Sequence, residues 1–246
     1  MKYDENNVFA KILRYESFSI GFPSNFTIYD VGDSKNLVKD IIKELSLNKD
    51  VYKVGYIRNR ISSLKNRYIT PEKYNDFPDL VEQDKVLRTN DFSRIYSLYI
   101  SRCKRAFAMD FDDLILQTLH LINASPEILF KYQNIFKYIL IDEYQDTNHS
   151  QYLIINKLAK LHQNICVVGD DSQSIYSFRG ADIQNILNFK KDYIDFKTIK
   201  LEQNYRSSSN IVNAANSLIK KNTHQIKKNI WTENDDGEKI TICKAD

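Results

Sequence analysis

Three short segments in the second half of the chain, "YILID", "NICVVGD" and "TIKLEQN", constrain the fold more than any other feature. They alternate with amphipathic stretches, "QYLIINKLAKL", "DIQNILNFKK" and "SNIVNAANSLIKK". Buried strands separated by helices specify a parallel sheet, because parallel neighbours need a long crossover rather than a tight turn. In such sheets ligands sit beyond the carboxyl ends of the strands. Here those ends read "DEYQDT", "GDDSQS" and "QNYRSS". All three are polar and carry groups that can do chemistry.

Residues 1–135 read as helices. Ser34 is a candidate cap for "KNLVKDIIKELSL", whose Leu37, Val38, Ile41, Ile42 and Leu45 fall on one face at helical spacing. Ile57, Ile61 and Leu64 suggest a second helix. Thr70 followed by Pro71 is a start signal for a third. "DFSRIYSLYISRCKRAF" reads as one long helix with Phe92, Ile95, Tyr96, Tyr99, Cys103 and Phe107 inward. Asp110 is a candidate cap for "FDDLILQTLHLI", and Ser125-Pro126-Glu127 opens another helix. The tail past Thr223 holds an acidic turn and a short strand candidate, "KITICKA".

At 246 residues the chain can bury a substantial core. A net charge of +3 names no partner, so any nucleic-acid footprint has to be local. No apolar run reaches about 18 residues and no secretory signal opens the chain, so a cytoplasmic protein without a membrane span is expected. Cys103, Cys166 and Cys243 are far apart and form no CxxC pair, which favours reduced structural thiols over disulfides or a metal cluster.

Asp142 and Glu143 stand where the first of the three strands emerges. One carboxylate there can hold magnesium through water, and its neighbour can orient or deprotonate an attacking water. A pair of solvated acids at a loop start fits those two residues equally well. Gln173, just past the second strand, can reach a terminal phosphate as a neutral sensor. Tyr176 and Phe178 beside Arg179 suit stacking on unpaired bases; two rings in core packing is the plainer reading. Arg206, near a helix start, can neutralise charge on a transferring phosphoryl group, and Tyr205 can stack on an adenine ring. A surface arginine is the alternative, although the helix dipole disfavours a cation at that end.

With these stretches in view, the sequence resembles the UvrD/PcrA/Rep group of superfamily 1 DNA helicases. "IDEYQDTN" is similar to their second motif (the Walker B element), "VVGDDSQSIYSFRGADI" to the third, and "LEQNYRS" to the fourth. "MDFDDLI" is similar to the stretch that precedes the second motif. The resemblance implies an ATP-dependent translocase that moves 3′ to 5′ on single-stranded DNA, unwinds duplex at single/double-strand junctions, and serves DNA repair or replication. It implies an α/β fold: part of a RecA-like (P-loop NTPase) parallel sheet with helices, preceded by an all-helical insertion subdomain. The expected divisions are the insertion at 1–135, the back of the first motor domain at 136–204, and the fourth motif with the lead-in to a second motor domain at 205–246.

By the same resemblance, Asp142 and Glu143 hold Mg2+ and activate water, and Gln173 senses the γ-phosphate of ATP. Tyr176, Phe178 and Arg179 lie on the single strand, while Tyr205 and Arg206 stack on the base and clamp the γ-phosphate. Phe178 departs from the tryptophan common in this group and is also similar to the RecB/AddA helicase-nucleases, an alternative parent. A non-catalytic nucleic-acid-binding module is the other alternative. None of the six glycines begins a G-x-x-x-x-G-K phosphate loop. The expectation is therefore an internal piece that depends on the remainder of the helicase chain for that loop and is inactive in hydrolysis by itself.

Overall fold

The computed structural model describes residues 5–173, 183–222 and 226–243. The elements run α1 (Glu5–Tyr15), β1 (Thr27–Tyr29), α2 (Val31–Glu44), α3 (Val54–Asn66), α4 (Pro78–Val86), α5 (Phe92–Arg105), β2 (Ala108–Asp110), α6 (Phe111–Ala124), α7 (Pro126–Ile135), β3 (Ile139–Ile141), α8 (His149–Ala159), β4 (Ile165–Val167), α9 (Gln184–Asp192) and α10 (Ser209–Ile219). The result is a mixed α/β chain, dominated by helix, with short parallel strand pairs.

Capping boxes fix three helix starts. Asp30 with Asp33 opens α2, Asp110 with Asp113 opens α6, and Asn148 with Gln151 opens α8. Each side chain takes a backbone N–H that the first helical turn would leave unpaired. Asp110 is the cap that the sequence suggests, but at α2 Asp30 replaces Ser34, which lies buried inside the helix with its N–H already bonded to Asp30. The helical stripes of α2, α3 and α5 meet in one core around Val38, Ile41, Ile57, Ile61, Phe92 and Tyr96. A second core joins α1, α6, α7 and α8 through Leu13, Leu119, Ile122 and Ile154.

Other expectations for the first half need correction. Thr70-Pro71 opens a tight turn leading to a 3-10 turn at Tyr74–Asp76, not a helix; the helix begins later, with Pro78 in its first turn. Tyr74 accounts for the break: its hydroxyl is buried against Asp84 and Arg60, which draws the backbone inward. Phe107 is not inward, being 51% exposed with φ of 48°. Its carbonyl accepts from Thr27 N–H at 3.0 Å, where the chain leaves α5 to form β2. Strand β2 then pairs in parallel with β1, Thr27 opposite Ala108 and Tyr29 opposite Asp110. The helical first half thus holds a strand pair whose few apolar residues read as the flanks of the helices they run into.

In the second half β3 and β4 pair in parallel, Ile139 opposite Ile165 and Ile141 opposite Val167. The third expected strand, "TIKLEQN", does not extend this pair. It forms a single bridge, Gln203 with Trp231, and leaves Ile199 and Leu201 exposed. The described part of "KITICKA" is irregular. Of the three thiols Cys103 alone is buried and Cys166 and Cys243 are exposed, so a structural role fits only the first.

Candidate functional site

The parallel ladder brings two of the polar strand ends to one edge. Val168 N–H donates to Ile141 O at 2.8 Å, and Tyr144 N–H donates back to Val168 O at 2.9 Å. Asp142 and Glu143 are exposed just past β3. Glu143 adopts a left-handed conformation, φ 52°, uncommon for a residue with a side chain. That reversal starts a 3-10 turn over Tyr144–Asp146. Tyr144 is completely buried beneath it, its ring edge-on to Phe189 of α9.

A series of hydrogen bonds, meeting residue 170 at its backbone N–H and leaving by its carboxylate, crosses from one strand end to the other. Gln145 Nε2 donates to Glu143 Oε2 at 2.8 Å, and Gln145 Oε1 accepts from Asp170 N–H at 3.0 Å. Asp170 Oδ2 accepts from Gln173 Nε2 at 2.9 Å. The carboxylate can only accept, so Gln173 turns its amide nitrogen toward Asp170 and its oxygen away. Lys228 closes the group, donating to Asp170 and, at 2.8 Å, to Asp171. Burial opposes the charge on Asp170, but Lys228 and Gln173 outweigh it and hold its pKa below the usual carboxylate value. The same carboxylates raise Lys228 against its own burial.

Gly169 allows this approach. A Cβ there would stand 2.6 Å from Gln145 Oε1 and 3.0 Å from Ile186 Cδ1. Gly169→Ala is expected to destabilise the chain by about 1–3 kcal/mol through overpacking, and to separate Gln145 from Asp170. Denaturant midpoints together with the amide shift of Asp170 measure both effects.

The structure joins Glu143 and Gln173 but does not bring Arg206 into the same network. The N–H groups of Arg206 and Ser207 bond Asn204 Oδ1 at 2.9 and 2.8 Å, forming a turn ahead of α10. Among the described residues the Arg206 side chain has no hydrogen bond or ion pair to Glu143 or Gln173. Tyr205 lies beside it, 79% exposed, with its hydroxyl donating to Gln203 Oε1. Segment 226–231 links the two regions, through Trp231 to Gln203 and through Lys228 to the end of β4. Tyr176, Phe178 and Arg179 lie outside the described residues.

Sequence reading singled out neither Gln145 nor Lys228. Gln145 is inside the quoted strand end, but its burial and double bonding depend on β4, far along the chain. Lys228 belongs to a lysine pair in a polar tail, where nothing local separates it from a solvated charge.

A family model described as the UvrD/REP helicase N-terminal domain matches residues 7–194. The chain belongs to the UvrD/REP helicase family. A second family model, the UvrD-like helicase C-terminal domain, matches residues 199–246. Among curated relatives, the chain is 43% identical over 236 residues to a protein of Leuconostoc citreum named ATP-dependent DNA helicase PcrA. It is 45% identical over 241 residues to a protein of the same name from Staphylococcus epidermidis, and 44% identical over 236 residues to one from Staphylococcus aureus. Each match covers 96% of this chain but only 31–32% of the relative. The chain thus spans about a third of the length of these UvrD/REP relatives.

Proposed function

We propose that this chain serves as part of an ATP-dependent DNA helicase, contributing the acidic and sensor side of the nucleotide site. One observation carries the reading: the unbroken hydrogen-bonded path Glu143–Gln145–Asp170–Gln173 across the ends of β3 and β4. A path of this kind makes a carboxylate and a carboxamide move together. That is what a site needs when one group acts on water and the other reads a phosphate.

The residues fit a hydrated divalent cation. Asp142 is exposed at the strand edge, and magnesium keeps several of its waters when bound by one or two carboxylates. When bound, Mg2+ with ATP supplies charge neutralisation on the transferring phosphoryl group. Glu143 orients and deprotonates the attacking water, held by Gln145 at its other oxygen. Gln173 presents its free carbonyl oxygen to that water or to a donor near the phosphate. Tyr205 stacks on the base, and Arg206 reaches the γ-phosphate once the segments around it close. The phosphate-binding loop comes from the remainder of the helicase. The exposed apolar positions on β3 and just past β4, Leu140 at 77% and Val168 at 50%, suit burial by further strands of a wider sheet.

In this reading the parent travels 3′ to 5′ along single-stranded DNA and opens duplex at junctions, in the cytoplasm. The relatives named as helicases favour a piece of a helicase over a stand-alone binding module. Tyr176, Phe178 and Arg179 hold the single strand. Single-stranded oligonucleotide binding by the chain should be weak and salt-sensitive, and Tyr176→Ala/Phe178→Ala should weaken it by about 1–3 kcal/mol per stacked base. Fluorescence anisotropy across a salt series measures both, and equal affinity for the double variant rejects the stacking role.

A further inference from the structure

The acidic turn is fastened at its far end as well as at its start. Asn148, five positions after Glu143, caps α8 with Oδ1 accepting from Gln151 N–H at 2.9 Å. Its Nδ2 donates at 2.6 Å to Oδ1 of Asn66, the last residue of α3. Asn66 Nδ2 in turn donates to Asp112 Oδ1 at 3.1 Å and to Ser62 O at 2.9 Å. Ser150 Oγ donates to Asn66 O at 3.2 Å. Asn66, Asn148 and Ser150 are all buried.

The partners dictate both amide orientations. A carboxylate and a carbonyl accept only, so Asn66 must face them with its nitrogen and present oxygen to Asn148. Asn148 must then donate with nitrogen, which leaves its oxygen for the Gln151 N–H. No alternative flip satisfies these four groups. Helix α3 packs its apolar face into the core with α2 and α5, whereas the acidic turn packs with Ile141, Tyr144 and Ile155. Those two clusters share no buried residue, so the Asn66–Asn148 contact is a direct polar tie between separately packed parts. From Asn148 the connection runs through Thr147, whose hydroxyl donates to Tyr144 O at 2.7 Å, into the turn behind Glu143.

We infer that Asn66 is a positioning residue for the Asp142–Glu143 turn, acting through Asn148. The two carboxylates are thereby held in register with the end of α3. The functional meaning rests on the proposed role of those carboxylates, but the tie itself is tested without nucleotide. Backbone amide exchange of the 246-residue chain supplies the readout. Asn66→Ala is expected to speed exchange at Tyr144 and Thr147 by about fivefold, the scale of one net hydrogen bond, while the amides of α2 and α5 keep their wild-type rates. Pairing Asn66→Asp with Asp112→Asn reverses donor and acceptor along the bridge and leaves an oxygen facing Asn148. That pair is expected to bring the rates part of the way back, since the new carboxylate regains Asn148 and residue 112 but still faces the Ser62 carbonyl, whereas Asn66→Asp alone sets two carboxylates together and does not.

Unchanged exchange at Tyr144 and Thr147 in Asn66→Ala overturns the inference. A uniform rise across all helices also overturns it, since that marks ordinary loss of stability. Should Asn66→Ala not fold, the comparison of Asn66→Asp with and without Asp112→Asn decides alone: equal rates at the turn reject the tie. A helicase that proves inactive in ATP hydrolysis would refute the proposed function and leave these exchange results standing.

Discussion

Replacing Lys65 with methionine is expected to destabilise the chain by about 3–5 kcal/mol, the scale seen when one partner of a buried charge group is removed. Lys65 is fully enclosed near the end of α3, with Nζ 2.7 Å from Asp110 Oδ2 and 2.7 Å from Asp113 Oδ1. Tyr99 O–H donates to the same Asp110 oxygen at 2.7 Å. Methionine matches the stem but leaves two carboxylates buried without their cation. Urea midpoints measure the loss, and a change below about 0.5 kcal/mol, typical of exposed positions, would show that the cluster is solvated.

The same cluster sets a pH dependence. Burial first, then the Asp110 charge, push Asp113 up to about 7 against the pull of Lys65. Burial also opposes ionised Asp110, but Lys65 and Tyr99 prevail and hold it low. A raised folded pKa gives stability that is complete below the ordinary value of 3.8 and is lost as pH rises through about 7. Asp110 has the opposite sign: its contribution is present above the ordinary value and is lost as pH falls through the lowered one. Asp113→Asn should therefore start less stable, having one acceptor oxygen where Asp113 offers one to Asp110 N–H and another to Lys65, yet show a flatter decline between pH 5 and pH 7, the interval below Asp113's raised pKa. An unchanged slope would mean that Asp113 does not titrate there.

The second large effect concerns Glu143. In the full-length helicase, Glu143→Gln is expected to lower the rate of ATP hydrolysis by about 10²–10⁴-fold, the usual contribution of a general base. Glutamine keeps the size and can still accept from Gln145 Nε2, so the turn should hold its shape while the proton acceptor is gone. Nucleotide affinity should change little. A similar rate in the variant would move the base elsewhere.

What the sequence made legible follows from range. Strands β3 and β4 and helices α8 and α10 carry local signals, apolar runs or helical stripes, and they appear where those signals lie. The "DEYQDT" and "GDDSQS" ends meet because their strands are parallel neighbours, a consequence of the alternating pattern itself. "TIKLEQN" failed as a strand in this chain because its backbone partner is Trp231 in the tail rather than β4. Arg206 accordingly lies outside the network it was expected to complete. Gln145, Lys228 and the Asn66–Asn148 tie all depend on contacts between residues distant in sequence, for which a single chain offers no periodic cue. Strands β1 and β2, no shorter than β3 and β4, were missed for another reason: each runs straight into a helix cap, Asp30 or Asp110, so its few apolar residues read as the flank of a helix.

The proposed function requires these residues to form one side of a nucleotide site whose phosphate cradle lies elsewhere in the parent protein. ATP turnover by the purified 246-residue chain, with Mg2+ and excess single-stranded DNA, is the direct measurement. The expected result is release of phosphate at the rate of buffer alone. Sustained turnover that Glu143→Gln abolishes would show a complete site within this chain and contradict the account.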